Sequence, residues 1–167
     1  HICENMELFG IGRNGGFAEY TTIPIRTSWR NDPSIPIEAM SSQEPLGNAV
    51  HTVSKAKVKG KTVLIIGLGP VGLCAAAVSK VQGAKKVIAV DPSGYRRNLG
   101  TKIGADEVLE KLSEKYLNQM DVVLEMSGNE NGVKSAFDAV RIGGTIMIFG
   151  IPKKEISLDL GKYFINK

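Results

Sequence analysis

The sequence predicts an α/β chain built on a doubly wound parallel sheet, and three observations predict it. A run of β-branched and aliphatic residues, Val63 to Ile66, reads as a fully buried parallel strand. Gly67, Gly69 and Gly72 follow at once and lead into an Ala-rich, helix-compatible stretch from Leu73 to Val81. Strands and helices then alternate to near the end of the chain. Such alternation implies crossover connections and a parallel sheet covered on both faces.

Residues 10–30 are rich in Gly and Thr, and Gly15-Gly16-Phe17-Ala18-Glu19-Tyr20 with Thr21, Thr22 and Ile23 predicts a hairpin strand. Residues 31–36 form a loop around Pro33 and Pro36, with Trp29 expected to pack nearby. Residues 37–56 have helical character, interrupted at Pro45-Leu46-Gly47. Residues 62–67 are a strand and 71–82 a helix stopped by Gly83. Residues 86–91 are a strand, followed by a helix from Ser93 or Gly94 to Ile103, ended by Gly104. Next come a short strand at 106–109, a partly helical stretch at 112–117 and a strand at 121–126. A helix over 131–140, ended near Gly143, and a strand over 145–149 complete the series. Residues 155–160 alternate polar and apolar, as in a half-exposed edge or extended arm. Residues 10–30 hold too few strands for an independent sheet. The expected division is therefore residues 1–53, part of another domain with a connecting helix, and residues 54–167, the parallel-sheet domain.

A chain of 167 residues can bury one good core with a small appendage. No apolar stretch is long enough to span a bilayer, and no basic segment precedes an apolar one as in a signal peptide. A cytoplasmic protein without a membrane partner is expected. The first residue is His1 rather than Met, which points to a processed, truncated or excised piece. The net charge of +4 comes from 21 basic residues scattered among 17 acidic ones, without interleaved aromatics. That is a mixed-charge surface rather than a nucleic-acid footprint. Cys3 and Cys74 make no disulfide framework, and Cys74 reads as a small apolar residue of its helix.

The glycine spacing, in the context of strand, turn and helix, is a dinucleotide-binding fingerprint of the Rossmann type. Gly67 permits the tight turn, Gly69 lets the backbone approach a pyrophosphate, and Gly72 lets the helix pack on the strand. Pro70 and Val71 open the helix, whose free N–H groups and positive dipole end suit phosphate. Asp91 lies nineteen residues past Gly72 and is placed to accept hydrogen bonds from an adenosine ribose. Its charge would repel the 2′-phosphate of NADP, so NAD is expected. Arg96 by itself reads as a surface helix residue; with Arg97 it also leaves a path to NADP by clamping an extra phosphate. Ser127 with Gly128, and Phe149, Gly150 and Ile151, end two strands on the side where open parallel sheets bind ligands. Simple turn chemistry would account for them equally well.

Together with His1-Ile2-Cys3-Glu4-Asn5, the 15–20 stretch, Glu44-Pro45-Leu46-Gly47-Asn48-Ala49, Tyr95-Arg96-Arg97, residues 121–128 and residues 143–152, this fingerprint resembles the zinc-dependent medium-chain alcohol dehydrogenases. Within them the likeness is greatest to the L-threonine 3-dehydrogenases. The resemblance implies a β-rich, GroES-like catalytic-domain remnant at the N-terminus and a Rossmann domain after it, whose last strand would begin near Tyr163 and be cut short. It implies hydride transfer from the secondary alcohol of L-threonine to NAD, giving 2-amino-3-oxobutanoate. Other polyol or secondary alcohol dehydrogenases of the sorbitol or butanediol type, or a non-catalytic nucleotide-binding module, are the alternatives. Arg96 would flank the adenine and ribose, its guanidinium able to stack on the base, and backbone groups at 149–151 would meet the nicotinamide carboxamide. Glu44 would lie beside a catalytic zinc and relay the alcohol proton; a helix N-terminal Glu stabilised by the dipole is the simpler alternative. Cys3 would belong to a structural zinc site, incomplete here because one thiolate cannot make a tetrahedral site. The sequence has no CxxC and no His-Glu pair. The chain alone is thus expected to bind nucleotide without oxidising alcohols, the parent being a homo-oligomer, a tetramer or dimer. His51 has no assigned role.

Overall fold

The computed structural model describes residues 4–166, which fall into two compact units, one ending at Met40 and one beginning at Ser41. The first unit contains a single-turn 3-10 helix, Ile25–Thr27, and a first short α-helix, α1 (Ile37–Met40). The expected hairpin strand at residues 15–23 does not form: these residues are bends and irregular backbone. The only pairing in this region among the described residues is an isolated bridge between Phe9 and Arg13. A strand needs a partner and an apolar face to cover, and here Phe17 and Tyr20 stay exposed. Trp29, expected to pack, is 74% exposed in the structure.

The second unit carries the sheet. Its helix α2 (Gln43–Ala56) begins after a break at Ser41 and Ser42, not at Pro45. Pro45 falls in the first turn, where a missing N–H costs nothing because no intrahelical acceptor is available. The series then runs β1 (Thr62–Ile66), α3 (Pro70–Val81), β2 (Lys86–Val90), α4 (Gly94–Ile103), β3 (Glu107–Leu109) and β4 (Met120–Glu125). It closes with α5 (Glu130–Ala139), β5 (Val140–Ile148) and α6 (Leu160–Asn166). All neighbouring strands pair in parallel, in the order β3-β2-β1-β4-β5. This is the doubly wound order, with the chain reversing direction across the sheet between β1 and β4.

Alternation along the strands divides the core in two. Val63 and Ile65 of β1 point to one face, where they meet Ala49 and Val53 of α2 and Ala75 and Ala76 of α3. Leu64 and Ile66 point to the other, against Ala136 and Ala139 of α5. Small residues on α2, α3 and α5 bring the helices close to the sheet, so both faces are covered and the strands are buried without alternation in exposure.

Two further expectations change. The last helix of the series stops at Ala139, and β5 starts at Val140, which pairs with Met120. A bulge follows, so that Val122 pairs with Thr145; residues 141–144 loop out, with Gly143 at φ +67°. The strand expected near Tyr163 is instead α6. Asp159 caps it, its Oδ1 accepting the Lys162 N–H at 3.1 Å, and the Tyr163 ring lies 4.9 Å from that of Phe137. Residues 155–159 form no strand, although Ile156 and Leu158 are half-buried between exposed neighbours.

Candidate nucleotide-binding crevice

The turn from β1 to α3 is built by glycine where no other residue fits. Gly67 has φ +95°, and a Cβ on it would lie 3.0 Å from Ser127 Cα in the turn after β4. A Cβ on Gly72 would sit 1.9 Å from the Gly67 carbonyl oxygen, so only glycine lets α3 start this close to the strand. A Cβ on Gly69 would meet nothing within 4 Å, which leaves its backbone open on the outer side. Pro70 occupies the first turn of α3. The N–H groups of Val71 and Gly72 have no acceptor among the described residues. An anion placed here would meet those donors and the positive end of the helix.

Asp91, the residue after β2, is only 2% exposed. Its Oδ2 accepts the Leu68 N–H at 2.8 Å and its Oδ1 accepts the Ser93 N–H at 2.8 Å. The Arg96 guanidinium stands 3.7 Å from the same Oδ2 and is half-exposed. Arg97 is not free to clamp a phosphate. Its Nη1 donates to the carbonyls of Asp91 and Pro92 at 2.9 and 2.8 Å, and its Nη2 lies 3.4 Å from Glu110.

Gly67, Gly69, Asp91, Arg96 and Ser127 line one cavity of about 800 Å³ at the carboxyl ends of β1, β2 and β4. Ser127 and Gly128 also line a neighbouring cavity of about 350 Å³ with Ile151. Phe149 and Gly150 close the end of β5, their N–H groups donating to the Glu125 carbonyl at 2.9 and 3.1 Å. Glu44 lies elsewhere: it is exposed in the first turn of α2, with Asn48 donating to its carboxylate at 2.5 Å. His51 lines a separate surface cavity on α2. Burial raises the Cys74 thiol above its ordinary range, consistent with a packing role in α3. Cys3 lies outside the described residues. Among the described residues no three His, Cys, Asp or Glu side chains group to hold a metal, so these residues do not fit a zinc ion.

Sequence reasoning missed Glu125, which ends β4 fully buried at 0% exposure. The signal was an acid inside an apolar strand, where a charge persists only with hydrogen-bond partners.

Comparison with known proteins agrees with this geometry. The family model described as zinc-binding dehydrogenase matches residues 70–167, which hold most of the sheet and the crevice. The chain belongs to the zinc-binding dehydrogenase family. An L-threonine 3-dehydrogenase of Caldanaerobacter subterraneus subsp. tengcongensis is 41% identical over 100% of this chain and 51% of its own length. Among solved structures, acetophenone reductase from Geotrichum candidum in complex with NAD superposes with a TM-score of 0.89 at 25% identity, over 98% of this chain and 48% of that one. Galactitol-1-phosphate dehydrogenase from Escherichia coli does so with a TM-score of 0.87 at 26% identity, over 97% and 50%. The chain spans about half the length of the curated L-threonine 3-dehydrogenases it matches. No helix of the described residues is long and apolar enough to cross a membrane.

Proposed function

We propose that the crevice binds NAD and that the protein to which it belongs oxidises the secondary alcohol of L-threonine, passing hydride to that NAD and giving 2-amino-3-oxobutanoate. The observation that carries the reading is the hydrogen bond from Leu68 to Asp91, which ties the acid at the end of β2 to the glycine turn after β1, beside the cavity that Asp91, Gly67 and Gly69 line. The pyrophosphate lies at the start of α3, against the N–H groups of Val71 and Gly72 and the open backbone of Gly69. Asp91 takes the adenosine ribose hydroxyls and Arg96 flanks the adenine. The nicotinamide extends past Ser127 to the backbone at Phe149, Gly150 and Ile151.

NAD supplies the hydride acceptor when bound; the chain's residues orient it. Glu44 is the acid we assign to moving the alcohol proton: it is exposed and accepts a hydrogen bond from the neighbouring Asn48 amide, so its carboxylate is accessible to a hydroxyl. The choice of L-threonine rests on the 41% identity to an enzyme of that name. A polyol substrate is the second reading, favoured by the superposition on galactitol-1-phosphate dehydrogenase.

The test is NADH formation by the complete reading frame with L-threonine, sorbitol and 2,3-butanediol compared at equal concentration. Turnover preferring L-threonine, and lost in Glu44→Ala, supports the reading. Preference for a polyol moves the protein to the second reading, and undiminished turnover in Glu44→Ala removes that residue from the chemistry.

A further inference from the structure

We propose that Glu125 is a positioning residue that sets the nicotinamide side of the crevice, a role resting on the NAD reading above. Glu125 is fully buried, and among the described residues no Lys, Arg or His pairs with it. Its carboxylate is satisfied by one turn alone. Oε1 accepts the Ser127 N–H at 2.9 Å, the Ser127 hydroxyl in a short hydrogen bond, and the Gly128 N–H at 3.2 Å. Oε2 lies 3.3 Å from the same Gly128 nitrogen. A buried carboxylate without a counter-ion depends on such donors, so any outward movement of Ser127 and Gly128 leaves it orphaned. The turn is thereby locked to the end of β4.

Two glycines reserve the space this requires. A Cβ on Gly132 would lie 2.8 Å from Oε1 and a Cβ on Gly150 would lie 2.7 Å from Oε2. The lock extends across the crevice wall. The Glu125 carbonyl takes the N–H groups of Phe149 and Gly150, fastening the end of β5. Gly128, at φ +64°, touches the next residue pair: a Cβ on it would lie 2.7 Å from the Ile151 carbonyl oxygen. Residues 127–128 are thus fastened to the Glu125 side chain and residues 149–150 to its backbone carbonyl, with Ile151 packed beside Gly128, while Asp91 and the glycine turn are tied to each other through Leu68. Each trans peptide also turns its carbonyl opposite to its N–H. With the N–H groups of Ser127 and Gly128 directed at Glu125, the carbonyls of Met126 and Ser127 point away from it and remain as acceptors for a carboxamide.

The nicotinamide half of the cofactor should feel a change at Glu125 far more than the adenosine half. The experiment is calorimetric titration of wild type, Glu125→Gln and Glu125→Asp with NAD and, separately, with ADP-ribose, which lacks the nicotinamide. Glutamine replaces one acceptor oxygen by an N–H₂ donor facing the backbone N–H groups of Ser127 and Gly128, and aspartate withdraws the carboxylate by one methylene. The expected result is about a tenfold loss of NAD affinity in Glu125→Gln with ADP-ribose changed less than about threefold, and a loss of the same selectivity in Glu125→Asp. Equal losses for both ligands, or none, in a folded variant overturn the proposal while leaving the NAD reading intact. If Glu125→Gln does not fold, the comparison in Glu125→Asp decides by the same criterion. A wild-type chain that binds neither ligand overturns the NAD reading and this proposal with it.

Discussion

The carboxylate of Asp91 accepts the backbone N–H of Leu68 at 2.8 Å, joining the end of β2 to the turn that follows β1. Leu68 is fully buried, so its N–H has no water to turn to if the acid is removed. A group read from sequence as a ribose ligand is therefore also part of the turn that receives the pyrophosphate.

Asp91→Ala is expected to destabilise the fold by about 1–3 kcal/mol, the usual cost of an unsatisfied buried donor. It is also expected to weaken NAD binding and narrow the preference over NADP. Chemical denaturation gives the first quantity and paired titrations the second. An unchanged NAD affinity would remove the ribose role.

Gly69 and Gly72 should separate binding from folding. Gly72→Ala places a methyl 1.9 Å from a backbone oxygen and should destabilise by at least the ~1–3 kcal/mol of ordinary overpacking. Gly69 has φ −67° with open space beyond it, so Gly69→Ala should leave the denaturation midpoint nearly unchanged. Its methyl would nevertheless stand where a pyrophosphate approaches the backbone, and NAD affinity should fall. A Gly69→Ala variant with wild-type affinity would place the phosphates elsewhere.

The two arginines after Asp91 are predicted to act differently. Arg97 is engaged with the carbonyls of Asp91 and Pro92, whereas Arg96 is half-exposed at the cavity. Arg97→Ala should weaken NAD and NADP alike by loosening the turn; Arg96→Ala should change their ratio. Dissociation constants for both nucleotides in both variants test this.

Acid stability should depend on Glu107. Hydrogen bonds from Lys115, Tyr116 and Lys86 hold its carboxyl down to about 2 from an ordinary 4.5. Because the folded state binds this proton less readily than the unfolded one, the stabilisation is complete above 4.5 and is lost as pH falls toward 2. Denaturation midpoints measured across that window should fall steeply for wild type and less steeply for Glu107→Gln. Parallel slopes would contradict the ion cluster's contribution.

The parallel sheet was legible because buried strands are written as β-branched runs and glycine positions mark turns that no other residue can make. Residues 62–72 carry both signals within one turn of chain, so β1, its turn and α3 could be placed to within a residue or so. Tertiary partners decided the rest. Thr-rich residues near Tyr20 have strand propensity but no neighbouring strand among the described residues, and Phe17 remains exposed. Tyr163, expected to open a strand, lies in a helix because Asp159 caps that helix and Phe137 takes the ring. In the crevice, Gly67, Gly69 and Asp91 were found by spacing, Ser127 as the end of a strand and Arg96 through the family resemblance, and the five share a cavity. Glu125 and Arg97 act on backbone atoms of turns, and no sequence pattern records which carbonyl or N–H a side chain will reach.

The most direct measurement is calorimetric titration of the chain with NAD and, in parallel, NADP. The account predicts that NAD binds and is preferred, because Asp91 faces the cavity and Arg97 is already engaged. Preference for NADP, or no binding of either nucleotide, would contradict it.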